Sequence, residues 1–190
     1  MNQTAATTAV SCPKLRPLFE YLDGLREPAD LEMLRGLLKQ LDVQRRDLAA
    51  VCIFRPERYQ RNLVRATEFF ELVCVCWASG QRTPIHDHAG SSCAFIVVEG
   101  TATEIRFQRT PSGLVCPVWT REREPGYICA STEADIHQVA NAQPPGMDLI
   151  TLHIYSPELR NFNVYSLDTP CASDPATVRH NTEIHRNDGV

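Results

Sequence analysis

The stretch Ala94-Phe95-Ile96-Val97-Val98-Glu99-Gly100-Thr101-Ala102-Thr103-Glu104-Ile105-Arg106-Phe107-Gln108 holds two short runs rich in Val, Ile, Phe and Thr, parted by one glycine. Such residues suit a pleated, half-buried surface. Runs of the same texture lie on both sides. Glu71–Trp77 comes before, and Val115–Thr120, Tyr127–Ala130 and Leu149–Tyr155 follow, separated by Gly, Pro and Ser. Strands at this spacing predict an all-β sandwich or barrel. No helical pattern alternates with them, so a parallel α/β sheet is not expected.

Before residue 60 the pattern changes to helical. Pro28-Ala29-Asp30 opens a helix with Asp30 as its N-cap, and Leu31, Leu34, Leu37, Leu38 and Leu41 fall on one face. That stripe is too short for a coiled-coil seam, so it reads as core-facing rather than as a dimer contact. Val43 to Val51 reads as a second helix. The organisation expected is one domain over residues 1–190: a loose Thr/Ala-rich arm over 1–13, a mainly helical part over 14–58, a β-barrel over 59–170 and a polar tail over 171–190. His180 and His185 lie in that tail and read as surface residues.

Composition narrows the function classes. The 190 residues are 43% hydrophobic and 22% charged, enough for a sizeable core without disulfides. A net charge of −4 disfavours a non-specific nucleic-acid binder. No run approaches the roughly 18 apolar residues of a membrane span. The N-terminus lacks a basic segment followed by an apolar one, so a cytoplasmic location is expected, with no membrane partner. A monomer is expected. The eight cysteines, several inside apolar runs, read as reduced and mostly structural; Cys74 and Cys76 are one residue apart, and no second close pair completes a zinc site.

Chemistry concentrates on histidine. Of six, two form His86-Asp87-His88, and alternate residues of an extended segment share a face, so both imidazoles can enter one cavity. His137 follows about 50 residues later, and imidazole is the commonest metal ligand. Thr151, His153 and Tyr155 alternate with Leu152 and Ile154, which puts three polar groups on one strand face. Either they line a site inside the barrel, or they form an outward polar edge.

The wider spacing resembles the cupin superfamily. Gly80, His86, His88, Cys93 and Gly100 are spaced as in its first motif, with Cys93 where a Glu normally stands. Gly126, His137 and Asn141 follow as in the second motif, with Thr132 and Ala134 replacing the usual Pro and Gly. Three neutral imidazoles without the Glu leave a divalent ion its full charge, which suits an anionic ligand such as a thiolate.

Within that superfamily the chain is similar to the cysteine dioxygenase family. The matching residues are Arg61-Asn62-Leu63-Val64, Cys76-Trp77, Ile85-His86-Asp87-His88, Ser91, Cys93, His137 and Thr151-Leu152-His153-Ile154-Tyr155-Ser156-Pro157, within roughly residues 55–160. The resemblance implies a mostly β, cupin-type antiparallel barrel (a jelly-roll) with a small N-terminal helical part. It implies a mononuclear non-haem Fe(II) enzyme that oxidises L-cysteine with O2 to cysteine sulfinic acid, a step of cysteine catabolism. Carried over, His86, His88 and His137 would bind one Fe(II). Arg61 would pair with the substrate carboxylate, and Tyr59 would be a wall of the same pocket. Tyr155 would set its hydroxyl beside the substrate, oriented by His153, with Thr151 supporting His153. Cys93 stands where some members form a thioether bond to the active-site Tyr. Two alternatives remain: dioxygenation of another small thiol acid such as 3-mercaptopropionate, whose relatives tend to carry Gln in place of Arg61, and a non-catalytic metal- or ligand-binding cupin.

Overall fold

A computed structural model of the chain describes residues 12–131, 135–168 and 177–179. Thr132, Ala134, Cys171, His180, His185 and most of the N-terminal arm lie outside the described residues. Two helices, α1 (Arg16–Asp23) and α2 (Leu31–Lys39), precede strands β1 (Gln60–Ala66), β2 (Glu71–Trp77), β3 (Ile85–His86), β4 (Ser92–Glu99), β5 (Ala102–Arg109), β6 (Val115–Arg123), β7 (Ile128–Ser131), β8 (His137–Ala140), β9 (Leu149–Ser156), β10 (Asn161–Tyr165) and β11 (Thr177–Arg179). They form a five-stranded sheet in the order β1-β2-β9-β4-β7 and a six-stranded sheet in the order β11-β10-β3-β8-β5-β6. Every named pairing is antiparallel.

The expected strands are present: Glu71–Trp77 is unchanged, the runs starting at Ala94, Val115 and Leu149 are extended, and those at Thr101 and Tyr127 are shifted by one residue. Asp30 caps α2 by accepting a hydrogen bond from the Met33 amide at 2.7 Å. The leucine stripe faces inward: Leu34 and Leu38 are buried with Leu18 and Leu22 of α1 against Leu72, Leu152 and Ile154 of the five-stranded sheet. Each fully buried Leu contributes about 1.5–3 kcal/mol. No described helix is long and apolar enough to cross a membrane.

Three details differ from the sequence reading. The segment read as a helix over Val43 to Val51 is a 3₁₀ turn over Arg45–Val51, entered through a reciprocal Gln44/Asp47 cap. Seven residues make too few bonds to offset α-helix nucleation. The following residues, within the part read as mainly helical, are irregular. Pro56 pushes Arg55 away from helical dihedrals. In the region read as a polar tail, Thr177–Arg179 pairs with Asn161–Asn163; the free edge of β10 offers backbone partners whatever the side-chain polarity.

The five-stranded sheet is buried on both faces. All residues of β2 and β9 are buried. On β2, Leu72, Cys74 and Cys76 face the helices, while Val73, Val75 and Trp77 belong to a second core cluster with Phe95, Tyr155 and Phe162. The polar alternation of β9 thus points into the barrel.

Two glycines test these assignments in opposite directions. Gly36 lies inside α2 with open space where a Cβ would stand, and Gly100 turns the chain between β4 and β5 at φ +77, where a Cβ would collide with the Asp148 carbonyl oxygen. Gly36→Ala is expected to raise stability by about 0.5–1 kcal/mol. Gly100→Ala is expected to lower it by about 2 kcal/mol or more, as strain and collision combine. Urea unfolding of both variants checks the pair.

Candidate functional site

The three histidines meet because of register. His86 of β3 lies directly across from His137 of β8. His88 follows two residues later, although β3 itself ends at His86. Alternation persists because Asp87 is held on the other side. Its Oδ1 accepts from the Asn163 amide at 3.1 Å, and its Oδ2 from Asn163 Nδ2 at 2.8 Å and the Tyr165 hydroxyl at 2.7 Å. The ring centroids stand 4.8 Å (His86–His137), 5.0 Å (His88–His137) and 5.5 Å (His86–His88) apart. One nitrogen from each ring falls within 4.8 Å of the other two.

The electrostatics suit a cation. Burial pulls the His86 pKa down to about 4 and those of His88 and His137 well below the usual imidazole range. At neutral pH all three are neutral, which is the ligand form. His86 Nδ1 donates to the Pro84 carbonyl at 3.0 Å, which leaves Nε2 with its lone pair. Both nitrogens of His88 and Nδ1 of His137 are buried without a hydrogen-bond partner among the described residues. Each unmet buried polar group costs about 1–3 kcal/mol. A metal ion bound by the three imidazoles would take one nitrogen from each ring and relieve part of that cost, so the donor set fits one. Behind His137 stands Glu104, 2% exposed, whose carboxylate accepts from Arg123 Nε at 2.8 Å. Its nearer oxygen is 4.0 Å from His137 Nδ1, beyond hydrogen-bond range.

His86 and His137 border a pocket that opens to solvent. Tyr59, Arg61, His86, His137, His153 and Tyr155 all line it, while His88 lies deeper, fully buried. On β9 a chain of polar groups runs along the barrel face. Trp77 Nε1 donates to Thr151 Oγ1 at 3.1 Å, Thr151 Oγ1 lies 2.9 Å from His153 Nε2, and His153 Nδ1 lies 3.3 Å from the Tyr155 hydroxyl. Phe95 stacks on His153 at 4.9 Å. Burial lowers the His153 pKa to about 3 and raises that of Tyr155, so a neutral imidazole faces a protonated phenol. Tyr59 stacks on Trp77 at 4.6 Å and walls the pocket.

Arg61 is 8% exposed and stands 5.0 Å over the Tyr155 ring. It donates to Glu71 Oε1 at 2.5 Å. Glu71 is 4% exposed and lies across from Tyr155 in the β2–β9 register. Burial pushes its carboxyl above the usual range, and Arg61 opposes that shift. Cys93 is the register partner of Tyr155 on β4, and their side chains interact.

All nine sequence candidates therefore gather in or around one pocket. Sequence reasoning missed Glu71, Glu104 and the supporting role of Trp77. Glu71 had a signal: it opens an apolar strand on the same parity as Val73, Val75 and Trp77. Glu104 had none, because its importance comes from the β5–β8 pairing.

Comparison with known proteins places this geometry. Residues 1–168 match the family described as Cysteine dioxygenase type I. The chain is 26% identical over 160 residues to cysteine dioxygenase type 1 of Danio rerio, covering 80% of this chain and 74% of that protein. It is 27% identical over 149 residues to the protein of the same name from Rattus norvegicus, covering 75% and 72%. Among solved structures, a double-stranded β-helix protein from Klebsiella pneumoniae superposes with a TM-score of 0.53 at 16% identity, over 62% of this chain and 88% of that one. At that identity the likeness concerns the fold alone.

The unmet nitrogens of His88 yield an unusual expectation. His88→Leu removes two orphaned donors or acceptors, so it should stabilise the metal-free protein by about 1 kcal/mol or more while abolishing tight metal uptake. Urea unfolding in chelator, with elemental analysis of the purified variant, reads both effects. A destabilised metal-free variant would mean that the imidazole is satisfied by the fold and is not held for an ion.

Proposed function

The chain belongs to the cysteine dioxygenase type I family, and we propose that it oxidises the thiol of L-cysteine with O2 to cysteine sulfinic acid at one Fe(II) held by His86, His88 and His137. One observation carries this reading: three neutral imidazoles cluster at the edge of a pocket that a buried guanidinium and a buried phenol also line. The first group suits a metal that binds thiolate, and the second suits the carboxylate end of an amino acid. Bound iron would supply the redox centre and favour the thiolate form of the substrate.

The residues of the chain supply position and charge. Arg61 offers a planar donor fork to the substrate carboxylate, and Glu71 holds that fork at the Tyr155 ring. Because the Arg61–Glu71 pair is formally neutral, the incoming carboxylate meets a directed donor rather than a bare positive charge. Tyr155 keeps its proton and can donate to an oxygen of substrate or O2. His153 fixes the direction of that hydroxyl, and Thr151 and Trp77 fix His153. The reaction balances without an external reductant: sulfur gives up four electrons, O2 takes them, both oxygen atoms end on sulfur, and the thiol proton is released. The basis for preferring cysteine over 3-mercaptopropionate is the resemblance alone, since both carry a carboxylate and relatives that prefer the latter tend to carry Gln where Arg61 stands.

The Cys93–Tyr155 pairing supports a thioether between them. Its formation joins sulfur to a ring carbon with loss of two hydrogens, and O2 is the oxidant. Protein turned over with cysteine is expected to contain a species about two hydrogens lighter, detected by mass spectrometry. Cys93→Ser should lack that species and retain reduced activity. Finding only free Cys93 after turnover would count against the bond.

Arg61 carries the substrate assignment. Truncating one partner of a desolvated charge pair costs about 2–5 kcal/mol, and each 1.4 kcal/mol is about tenfold. Arg61→Ala should lose on the order of 30-fold or more in kcat/KM for cysteine. Cysteamine, which lacks the carboxylate, should be a poor substrate and lose little more. Because Arg61→Ala strands the Glu71 carboxylate, Arg61→Ala/Glu71→Gln serves as the folding control. Oxygen uptake at matched iron content decides. Equal loss for both thiols would remove Arg61 from carboxylate recognition.

A further inference from the structure

The sheet that carries the pocket on one face carries a second cluster on the other. Cys74 and Cys76 alternate with Val73, Val75 and Trp77 along β2, so both thiols face the helices, fully buried. The sequence supplies only this pair, but the fold adds a third thiol. Cys52 ends the 3₁₀ turn over Arg45–Val51 and meets Cys76 with sulfurs 3.8 Å apart, while the sulfurs of Cys74 and Cys76 are 3.9 Å apart. All three sulfurs lie within 4.8 Å of one another.

We propose that Cys52, Cys74 and Cys76 form a second metal site, for a divalent thiophilic d10 ion of the zinc class, separate from the three-histidine centre. Metal–thiolate bonds of about 2.3 Å at trigonal or tetrahedral angles set sulfurs about 3.8–4.0 Å apart. Two of the three edges already match, and the third closes with a small movement of Cys52, the half-buried member. That exposure gives the ion a path in and leaves room for a water to complete a tetrahedron. The surroundings favour thiolate at Cys52. Asn62 Nδ2 points at Cys76 Sγ at 3.5 Å, and the positive charge of Arg45 favours ionised Cys52. The hydrogen bonds of Cys74 and Cys76 to Cys52 pull its thiol down, and burial helps hold the other two protonated. An entering M²⁺ takes the three cysteines as thiolates and expels the thiol protons, with no change of oxidation state. Three thiolates and a divalent ion carry a net −1, whereas a monovalent ion would leave −2 in a largely apolar core; Arg45, the nearby cation, is itself paired with Glu99 and Asp148.

The test uses iron-loaded protein without oxygen, titrated with Cd(II). Cadmium bound to sulfur shows an ultraviolet thiolate-to-metal charge-transfer band, and cadmium on imidazole does not, so displacement of iron cannot imitate the result. One equivalent of band per chain is expected, with release of thiol protons, and Zn(II) should compete it away. Cys52→Ser, at the half-exposed position, should keep oxygen uptake and weaken Cd(II) by more than the roughly 100-fold that loss of a supporting contact costs. Cys74→Val, which suits the apolar core, should do the same and covers the case of a misfolded serine variant. Absence of the band, its persistence in both variants, or a Cys52–Cys76 disulfide in protein prepared without reductant would overturn the proposal.

Discussion

The burial of β9 on both faces governs the rest of this structure. A strand with one wet face can leave Thr, His and Tyr to solvent. Here Leu149–Ser156 is buried throughout, so Thr151, His153 and Tyr155 must satisfy one another. They do so in a line that ends at the Trp77 indole on one side and at the pocket on the other. The opposite face, with Ile150, Leu152 and Ile154, needs only the leucines of α1 and α2. The helices thus matter to the site although they contribute no residue to it. They keep water off the back of the strand, and polar groups on the front are thereby confined to a few partners.

The same constraint explains the distribution of charge. A lone buried ion costs several kcal/mol, which pairing offsets only with good geometry. Arg61 is matched by Glu71, Glu104 by Arg123, and Asp87 sits among Asn163 and Tyr165. The imidazoles of His86, His88 and His137 have no such match and stay neutral. The barrel interior therefore keeps its charged groups paired and leaves both His88 nitrogens and His137 Nδ1 without a hydrogen-bond partner among the described residues. Such a contrast is costly for a purely structural core and economical for a centre awaiting a cation.

Much of this was legible in the residues alone. Period-two runs located most strands, because inward and outward positions differ in chemistry even when both are buried. The histidine triplet and the Thr151, His153, Tyr155 alternation located the site, because polar groups on a predicted barrel face need a reason. What escaped was set by pairing between distant segments. Glu104 and Cys52 look ordinary in sequence, since the β5–β8 ladder and the end of a 3₁₀ turn bring them to their partners. Short strands such as β3, β8 and β11 escaped for a related reason: two to four residues carry too little periodicity to register. The turn over Arg45–Val51 kept a helical pattern but lacked the length to become an α-helix.

Asp87 has a consequence for how the protein is born. The tether that turns it away from His86 and His88 comes from Asn163 and Tyr165, at sequence separations of 76 and 78 residues. His137 reaches its place only through β8. While the chain is still being synthesised, the His-Asp-His triplet emerges long before the segments that splay its two imidazoles to one side. A nascent chain halted before residue 160 would carry all three histidines and lack the clamp. Any metal capture at the three histidines would then be an event of the finished fold, offering a shaped cavity rather than a flexible tripeptide.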